Sequence, residues 1–224
     1  MPTVNDVLAE TTDLPGARVL DIGCGAGDLV RWLRTQGAHP TGAECGAEMR
    51  ARALAADPDH HDDYVDAVGE DLPFDDASFD IVVFASSLHH VPIADMPAAL
   101  AEARRVLRPG GTLFVGEPAI ERPEQNALHP IVDETVERAA AQAAIDAAIG
   151  NGFTERRRLE FEREVIVPDF DDHMALITDM DPDRAERLET NRSDVRANFE
   201  RIGVRRDEGW VFRRRTVVAV LTAD

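Results

Sequence analysis

The sequence predicts an α/β fold, a doubly wound and mostly parallel sheet with an antiparallel C-terminal strand and a helical cover. Three observations point there. Short β-rich runs alternate with helix-length amphipathic stretches as far as about residue 118. A glycine turn, Gly23-Cys24-Gly25-Ala26-Gly27, joins the first run to the first of these helices. After Asp80, the run Ile81 to Ala85 has no polar interruption, as expected of a strand covered on both faces.

Each element follows from local pattern. Arg18 to Ile22 reads as a strand, and Leu29, Val30, Trp32 and Leu33 give the helix after the glycine turn, which Gly37 stops. Pro40 to Glu44 is a second strand, and Ala47 to Ala56 a helix supported by Glu48 and Arg52 four residues apart. After Asp80 to Ala85, the stretch Pro97 to Arg108 places Leu100, Ala103, Val106 and Leu107 on one stripe; Pro109-Gly110-Gly111 then breaks the chain before a strand from Thr112 to Val115. Right-handed crossovers between such strands leave ligands at the strands' carboxyl ends. Beyond Gly116, Pro118, Pro123 and Pro130 interrupt the chain, and Ile131 to Ile149 is an Ala-rich helix closed by Gly150-Asn151-Gly152. Late strands are expected at Leu159 to Val167 and Trp210 to Leu221, with a helix marked by Val195, Phe199 and Ile202 between them. The expectation is one domain over 1–224: a ligand-binding core at 14–118, a helical cover at 119–154, and C-terminal strands and helices at 155–224.

Composition narrows the function. The 224 residues carry 24 Arg, no Lys and 43 acidic side chains, for a net charge of −19. Such a chain repels phosphate backbones and anionic membrane surfaces, so neither nucleic acid nor membrane is an expected partner. Without lysine there is neither Schiff-base chemistry nor a P-loop lysine. Two cysteines are too few for a disulfide framework, no apolar run reaches the ~18 residues of a membrane span, and the N-terminus lacks a secretory pattern; the expected location is cytoplasmic.

The glycine turn selects a ligand class. A dinucleotide fingerprint would carry its third glycine where Asp28 stands, and Asp21 flanks the turn on its other side. Two carboxylates repel a pyrophosphate but favour a ligand bearing an ammonium or sulfonium charge.

The stretch Val19-Leu20-Asp21-Ile22-Gly23-Cys24-Gly25-Ala26-Gly27 resembles motif I of the class I S-adenosylmethionine-dependent methyltransferases. Leu72-Pro73-Phe74-Asp75-Asp76-Ala77-Ser78-Phe79-Asp80 and Val106-Leu107-Arg108-Pro109-Gly110-Gly111 are similar to two further signatures of the small-molecule, type 11-like branch, in family order. The resemblance covers roughly 14–118 and implies a Rossmann-like fold. It also implies S-adenosylmethionine as cofactor, S-adenosylhomocysteine as product, and in-line methyl transfer to a small molecule. Gly23, Cys24, Gly25 and Gly27 would line the methionine part, and Asp21 would hold the turn or the amino group. Glu44 would accept from the ribose hydroxyls, since two carboxylate oxygens suit two neighbouring donors. Cys45 and Met49 would contact adenine. Val68 stands where the family has an Asp for the adenine amino group, leaving Glu70, Asp71 or, two residues too early, Asp66 as substitutes. Ser86 would sit beside the methyl donor, or else bond to nearby backbone.

Methyl transfer needs mainly proximity and alignment, with a general base optional. His89 and His90 follow the strand ending near Ala85 and are the candidate bases; adjacent side chains diverge, so at most one faces the substrate, and either could instead shape the loop. His60 and His61, in the acidic stretch Asp57 to Asp66, fit no compact metal pattern, and no metal is expected. Two other readings stay open: a cofactor-binding or partner protein without catalysis, and a nicotinamide-dependent dehydrogenase, against which Asp28 argues.

Overall fold

The computed structural model describes residues 1–120, 127–179 and 182–224; Pro123, in the expected cover, lies outside the described residues. In chain order the elements are α1 (Val4–Thr11), β1 (Arg18–Ile22), α2 (Asp28–Thr35), β2 (His39–Ala43), α3 (Ala47–Ala56), β3 (Tyr64–Val65), β4 (Phe79–Ala85), α4 (Met96–Val106) and β5 (Leu107–Pro118). There follow α5 (Thr135–Ala148), β6 (Phe153–Val167), α6 (Phe170–Asp179), α7 (Pro182–Ile202), β7 (Val204–Arg206) and β8 (Gly209–Ala223). Short 3-10 turns lie at His61–Asp63 and Leu88–His90.

The sheet runs β3-β2-β1-β4-β5-β8-β6, with β7 antiparallel to β8. The pairs β1–β2, β1–β4, β2–β3 and β4–β5 are all parallel. From β1 the chain goes to β2 on one side and later to β4 on the other, so the order reverses between β1 and β4. The carboxyl ends there form the crevice where such sheets take ligands.

Two compact units divide the chain. The larger comprises Pro2–Glu117, Glu137–Glu160 and Val217–Asp224. On one face of its sheet, Leu20 and Ile22 of β1, Val82 and Phe84 of β4 and Leu113 and Val115 of β5 pack with Ala99, Leu100 and Ala103 of α4 and Ala141 and Ile145 of α5. The two-residue period of β1 turns Val19 and Asp21 away from that cluster. The smaller unit, formed by Pro118–Val136 and Phe161–Thr216 together with Met1, has its own core around Ile131, Phe170, Val195, Phe199 and Phe212. No helix among the described residues is long and apolar enough to cross a membrane.

Several boundaries differ from the pattern reading, each for a local reason. Pro109-Gly110-Gly111 does not separate α4 from a strand but forms an irregularity inside β5, whose pairing with β4 shifts between Phe79 and Ile81 while Gly110 takes φ +73°. Helix α5 starts at Thr135 rather than Ile131, because Asp133 Oδ1 accepts from the Thr135 N–H at 3.1 Å and Ile131 is spent in the smaller unit's core. Helix α1 has no counterpart in the pattern reading; it is held by a reciprocal Thr3–Asp6 capping box and buries Val7 and Leu8. In the C-terminal part Arg213 pairs with Glu162 of β6 at 3.5 Å, and Glu164 takes both terminal nitrogens of Arg206 at 2.8 Å.

Candidate active site

Four chain segments meet at the carboxyl edge of β2, β1, β4 and β5. The Gly23 and Cys24 N–H groups both donate to Ala43 O, at 2.8 and 3.1 Å, fastening the turn after β1 to the end of β2. Ser87 Oγ donates to Ile22 O at 2.5 Å, and the Ser86 N–H donates to Gly116 O at 2.7 Å, which fastens the loop after β4 to both neighbouring strands.

The three glycines of the turn have positive φ, and their surroundings separate them. A Cβ at Gly23 would lie 2.6 Å from Ser87 Cβ, and one at Gly27 would lie 2.7 Å from the Tyr64 ring. A Cβ at Gly25 would meet nothing nearer than Met49 Cε at 3.5 Å. Packing therefore requires glycine at 23 and 27, while Gly25 presents bare backbone to open space beside Met49. Its N–H donates to Glu44 Oε2 at 2.8 Å, and the other Glu44 oxygen accepts from Gly46 N–H at 2.7 Å. Each oxygen retains a lone pair for a further donor.

Asp21, at the end of β1, is 2% exposed, and its Oδ1 has no hydrogen-bond partner among the described residues. Burial first, and the Glu44 carboxylate second, push its pKa up to about 7. A buried, unsatisfied carboxylate oxygen beside a second carboxylate is a seat for a cation. Asp28 contributes less than its sequence position suggests: it pairs with Arg31 and points into solvent. Burial, and then Asp21 and Glu44, push the buried Cys24 thiol up, while burial and Glu44 do the same to the exposed Cys45; both are free thiols and both are poor nucleophiles.

On the adenine side, Asp66 is held by Arg50 at 2.8 Å, and Arg50 also donates to Glu44 O at 2.9 Å. Glu70 is half-buried and Asp71 exposed, on a loop closed by an isolated Val68–Asp71 bridge. His60 Nδ1 lies 2.7 Å from Asp57 Oδ1, in a network that also takes Arg34 at 2.8 Å and the Tyr64 hydroxyl at 3.0 Å.

Past β4, Ser86 is exposed at φ +60°, a conformation costly for a residue with a side chain, while Ser87 is the buried serine bonded to backbone. His89 is 4% exposed, and its Nδ1 is hydrogen-bonded to Glu117 Oε2 at the end of β5; Glu117, 5% exposed, also accepts from Leu88 N–H at 2.9 Å through Oε1. His90 is exposed, its ring centroid 4.1 Å from that of His89. The two histidines differ in burial, but their rings lie side by side instead of diverging as expected of adjacent side chains. Sequence reasoning missed Glu117, although a carboxylate two residues past the apolar run Leu113–Val115 was a visible signal; Tyr64 and Ser87, which wall the turn, gave none.

Residues 20–115 match the sequence model of a methyltransferase domain. The chain is 38% identical over 118 residues to the ubiquinone biosynthesis O-methyltransferase of Xylella fastidiosa, covering 51% of this chain and 47% of that protein. It is 42% identical over 109 residues to the 27-O-demethylrifamycin SV methyltransferase of Amycolatopsis mediterranei, covering 46% of this chain and 39% of that one. The chain thus spans less than half the length of these two relatives. The solved YcgJ protein of Bacillus subtilis shares the fold, with a TM-score of 0.64 at 20% identity over 98% of this chain and 97% of that one. The glycine turn, the acidic strand ends and the matched segment agree in making residues 20–115 similar to a methyltransferase domain of the class I, S-adenosylmethionine-dependent, type 11-like family.

Proposed function

We propose that the protein transfers a methyl group from S-adenosylmethionine to a hydroxyl of a small molecule. The observation that carries this reading is the cradle of Gly25, Glu44 and Asp21. Its donor set suits the cofactor: the orphaned Asp21 oxygen is matched to an ammonium or sulfonium charge, bare backbone at Gly25 admits close approach, and Glu44 has lone pairs left for ribose hydroxyls. A hydroxyl acceptor is favoured because both curated relatives are named for O-methylation.

Bound S-adenosylmethionine supplies a methyl group on a cationic sulfur, an electrophile that needs no further activation. The chain's own residues then orient and exclude water. In this reading Gly23, Cys24 and Gly27 complete the methionine wall, Cys45 and Met49 flank the adenine, and Glu70 or Asp71 stands nearest its amino group. Ser86 borders the methyl donor and His89 takes the acceptor's proton, with His90 shaping the loop beside it. The partition into a core at 14–118, a cover at 119–154 and a C-terminal part at 155–224 belongs to this proposal, as does a cytoplasmic location, which the two free thiols support.

Isothermal titration calorimetry with S-adenosylmethionine and S-adenosylhomocysteine tests the reading. Micromolar binding is expected, and no heat at millimolar cofactor overturns it. A radiolabelled-methyl screen of small hydroxylated metabolites then identifies the acceptor.

A further inference from the structure

Strand β6 (Phe153–Val167) ends the sheet beside β8 and has no second neighbour among the described strands, so one row of its backbone N–H and C=O groups faces outward. Every side chain over residues 154–158 is exposed, which leaves both faces of the strand open along with its edge. Such an edge is a template for another strand. The charges along it show which one. From Thr154 to Glu164 the strand reads Thr-Glu-Arg-Arg-Arg-Leu-Glu-Phe-Glu-Arg-Glu, which is antisymmetric in charge about Leu159. An antiparallel copy reverses the order, so antisymmetry within one strand becomes complementarity between two.

The register can be worked out residue by residue. In an antiparallel ladder, opposite residues point the same way along the hydrogen-bonding direction, so two copies of one strand meet only in registers centred on a single residue. With Leu159 of one copy opposite Leu159 of the other, Arg158 meets Glu160, Arg156 meets Glu162 and Glu155 meets Arg163, each pair occurring twice. Arg157 meets the Phe161 ring, and no like charges meet. Registers centred on Arg158 or Glu160 set that residue against its own copy. Those centred on Arg157 or Phe161 oppose Arg156 to Arg158 or Glu160 to Glu162. Within one chain, Glu155 pairs with Arg158 at 2.7 Å and Glu162 with Arg213 at 3.5 Å, whereas Arg156 and Arg163 have no hydrogen bond or ion pair among the described residues. The Leu159-centred register gives both of these arginines a carboxylate.

We propose that β6 is a self-recognition edge: two copies of the chain pair antiparallel over residues 154–164, about a two-fold axis at Leu159. The contact is isologous and closes at two copies. It stands independently of the methyl-transfer reading.

Sedimentation velocity on the full-length protein, over roughly 10–200 µM in about 0.15 M salt to screen the net charge, tests this. The wild type should pass from monomer to dimer across that range. Arg156→Glu sets a carboxylate against Glu162 of the second copy, and Glu162→Arg sets a guanidinium against its Arg156, so each variant alone should stay monomeric. Mixed in equal amounts the two variants should dimerise again, because each supplies the charge that the other lost. Hydrogen exchange of residues 154–164 should slow as the wild type dimerises. A wild type monomeric throughout, single variants that dimerise like the wild type, a mixture that stays monomeric, or a dimer with unchanged exchange in 154–164 each overturns the proposal. Should either variant fail to fold by circular dichroism, Arg163→Glu, which sets a carboxylate against Glu155, takes its place and should be monomeric; a dimer there overturns the proposal equally.

Discussion

The Gly25 N–H donates to Glu44 Oε2 at 2.8 Å, so the residue just past β2 also holds the turn that follows β1. Glu44→Ala removes this tie together with the carboxylate proposed for the ribose. S-adenosylhomocysteine affinity should fall by about 2–3 kcal/mol, the scale of hydrogen bonds to a charged acceptor. An unchanged dissociation constant by calorimetry would move the ribose elsewhere.

Two alanine substitutions in the same turn should fail differently. Gly27→Ala drives a Cβ to within 2.7 Å of the Tyr64 ring at φ +79°, so it combines backbone strain with overpacking and should cost roughly 2–5 kcal/mol of stability. Gly25→Ala at φ +55° meets only Met49 Cε at 3.5 Å and should cost about 1–2 kcal/mol of stability while sharply weakening cofactor binding. Chemical denaturation and calorimetry on both variants check the contrast; equal losses of stability would contradict it.

Asp21 predicts a pH dependence with a definite sign. Its folded pKa, pushed up to about 7 from 3.8, lies above the unfolded value. The unfolded chain therefore releases the proton first, so the ligand-free protein loses stability as pH rises from about 4 to about 7 and levels off above. A cationic ligand reverses the preference, because it favours the ionised carboxylate; S-adenosylmethionine affinity should rise with pH up to about 7 and then plateau. Asp21→Asn should flatten this arm of the stability profile, stabilise the ligand-free protein above pH 7, and weaken cofactor binding. A destabilised variant at pH 8 would contradict the assignment.

Turnover should distinguish the two histidines once an acceptor is found. His89→Gln is expected to lower kcat by roughly a hundredfold or more with cofactor affinity retained, the usual contribution of a general base. His90→Gln, altering an exposed ring, should change kcat by only a few-fold. Equal, mild effects would leave catalysis to proximity and alignment.

Asp57 carries the opposite linkage. Burial opposes its ionisation, but hydrogen bonds from Arg34, His60 and Tyr64 outweigh it and bring the pKa down to about 2. The resulting stability is present above about pH 4 and is lost as pH falls toward 2. Asp57→Asn should cost about 1–3 kcal/mol at neutral pH, the penalty for disrupting a buried hydrogen-bond network. Thermal melts at pH 7 and pH 3 should show the difference between the two proteins shrinking with acid.

Much of the architecture was legible because period and punctuation agreed. The helix Ala47–Ala56 has the bounds its pattern gave, and its Glu48–Arg52 pair forms at 2.7 Å. Strand β4 announced itself through an unbroken apolar run, which only a doubly covered strand requires. What escaped were elements whose identity is decided by tertiary contact. Strand β3 is two residues inside an acidic stretch and exists because Gly42 and Ala43 pair with it. Helix α6 carries three acidic residues and is fixed by Phe170 and Met174 entering the smaller unit's core. At the site, the glycine spacing indicated a cradle but could not rank its members, since only neighbours such as Tyr64 and Ser87 tell a glycine required by packing from one left open. Likewise, His89 and His90 are indistinguishable as letters, and the partner that separates them, Glu117, lies 28 positions away in sequence.

The unequal burial of the two thiols has a practical consequence. Cys24 Sγ fills the space beside Gly42, where even a Cβ would come within 2.6 Å of it, and so is closed to reagents as long as the fold holds. Cys45 is open to solvent and lies between Glu44 and Gly46, which are bonded to each other across it. The native chain therefore arrives with one addressable sulfur, already stationed at the rim of the cradle. At alkaline pH, where its raised thiol ionises, a single maleimide would tag that sulfur without any engineered cysteine and obstruct the rim where the adenine is proposed to lie, with the silent Cys24 becoming reactive only when the molecule comes apart.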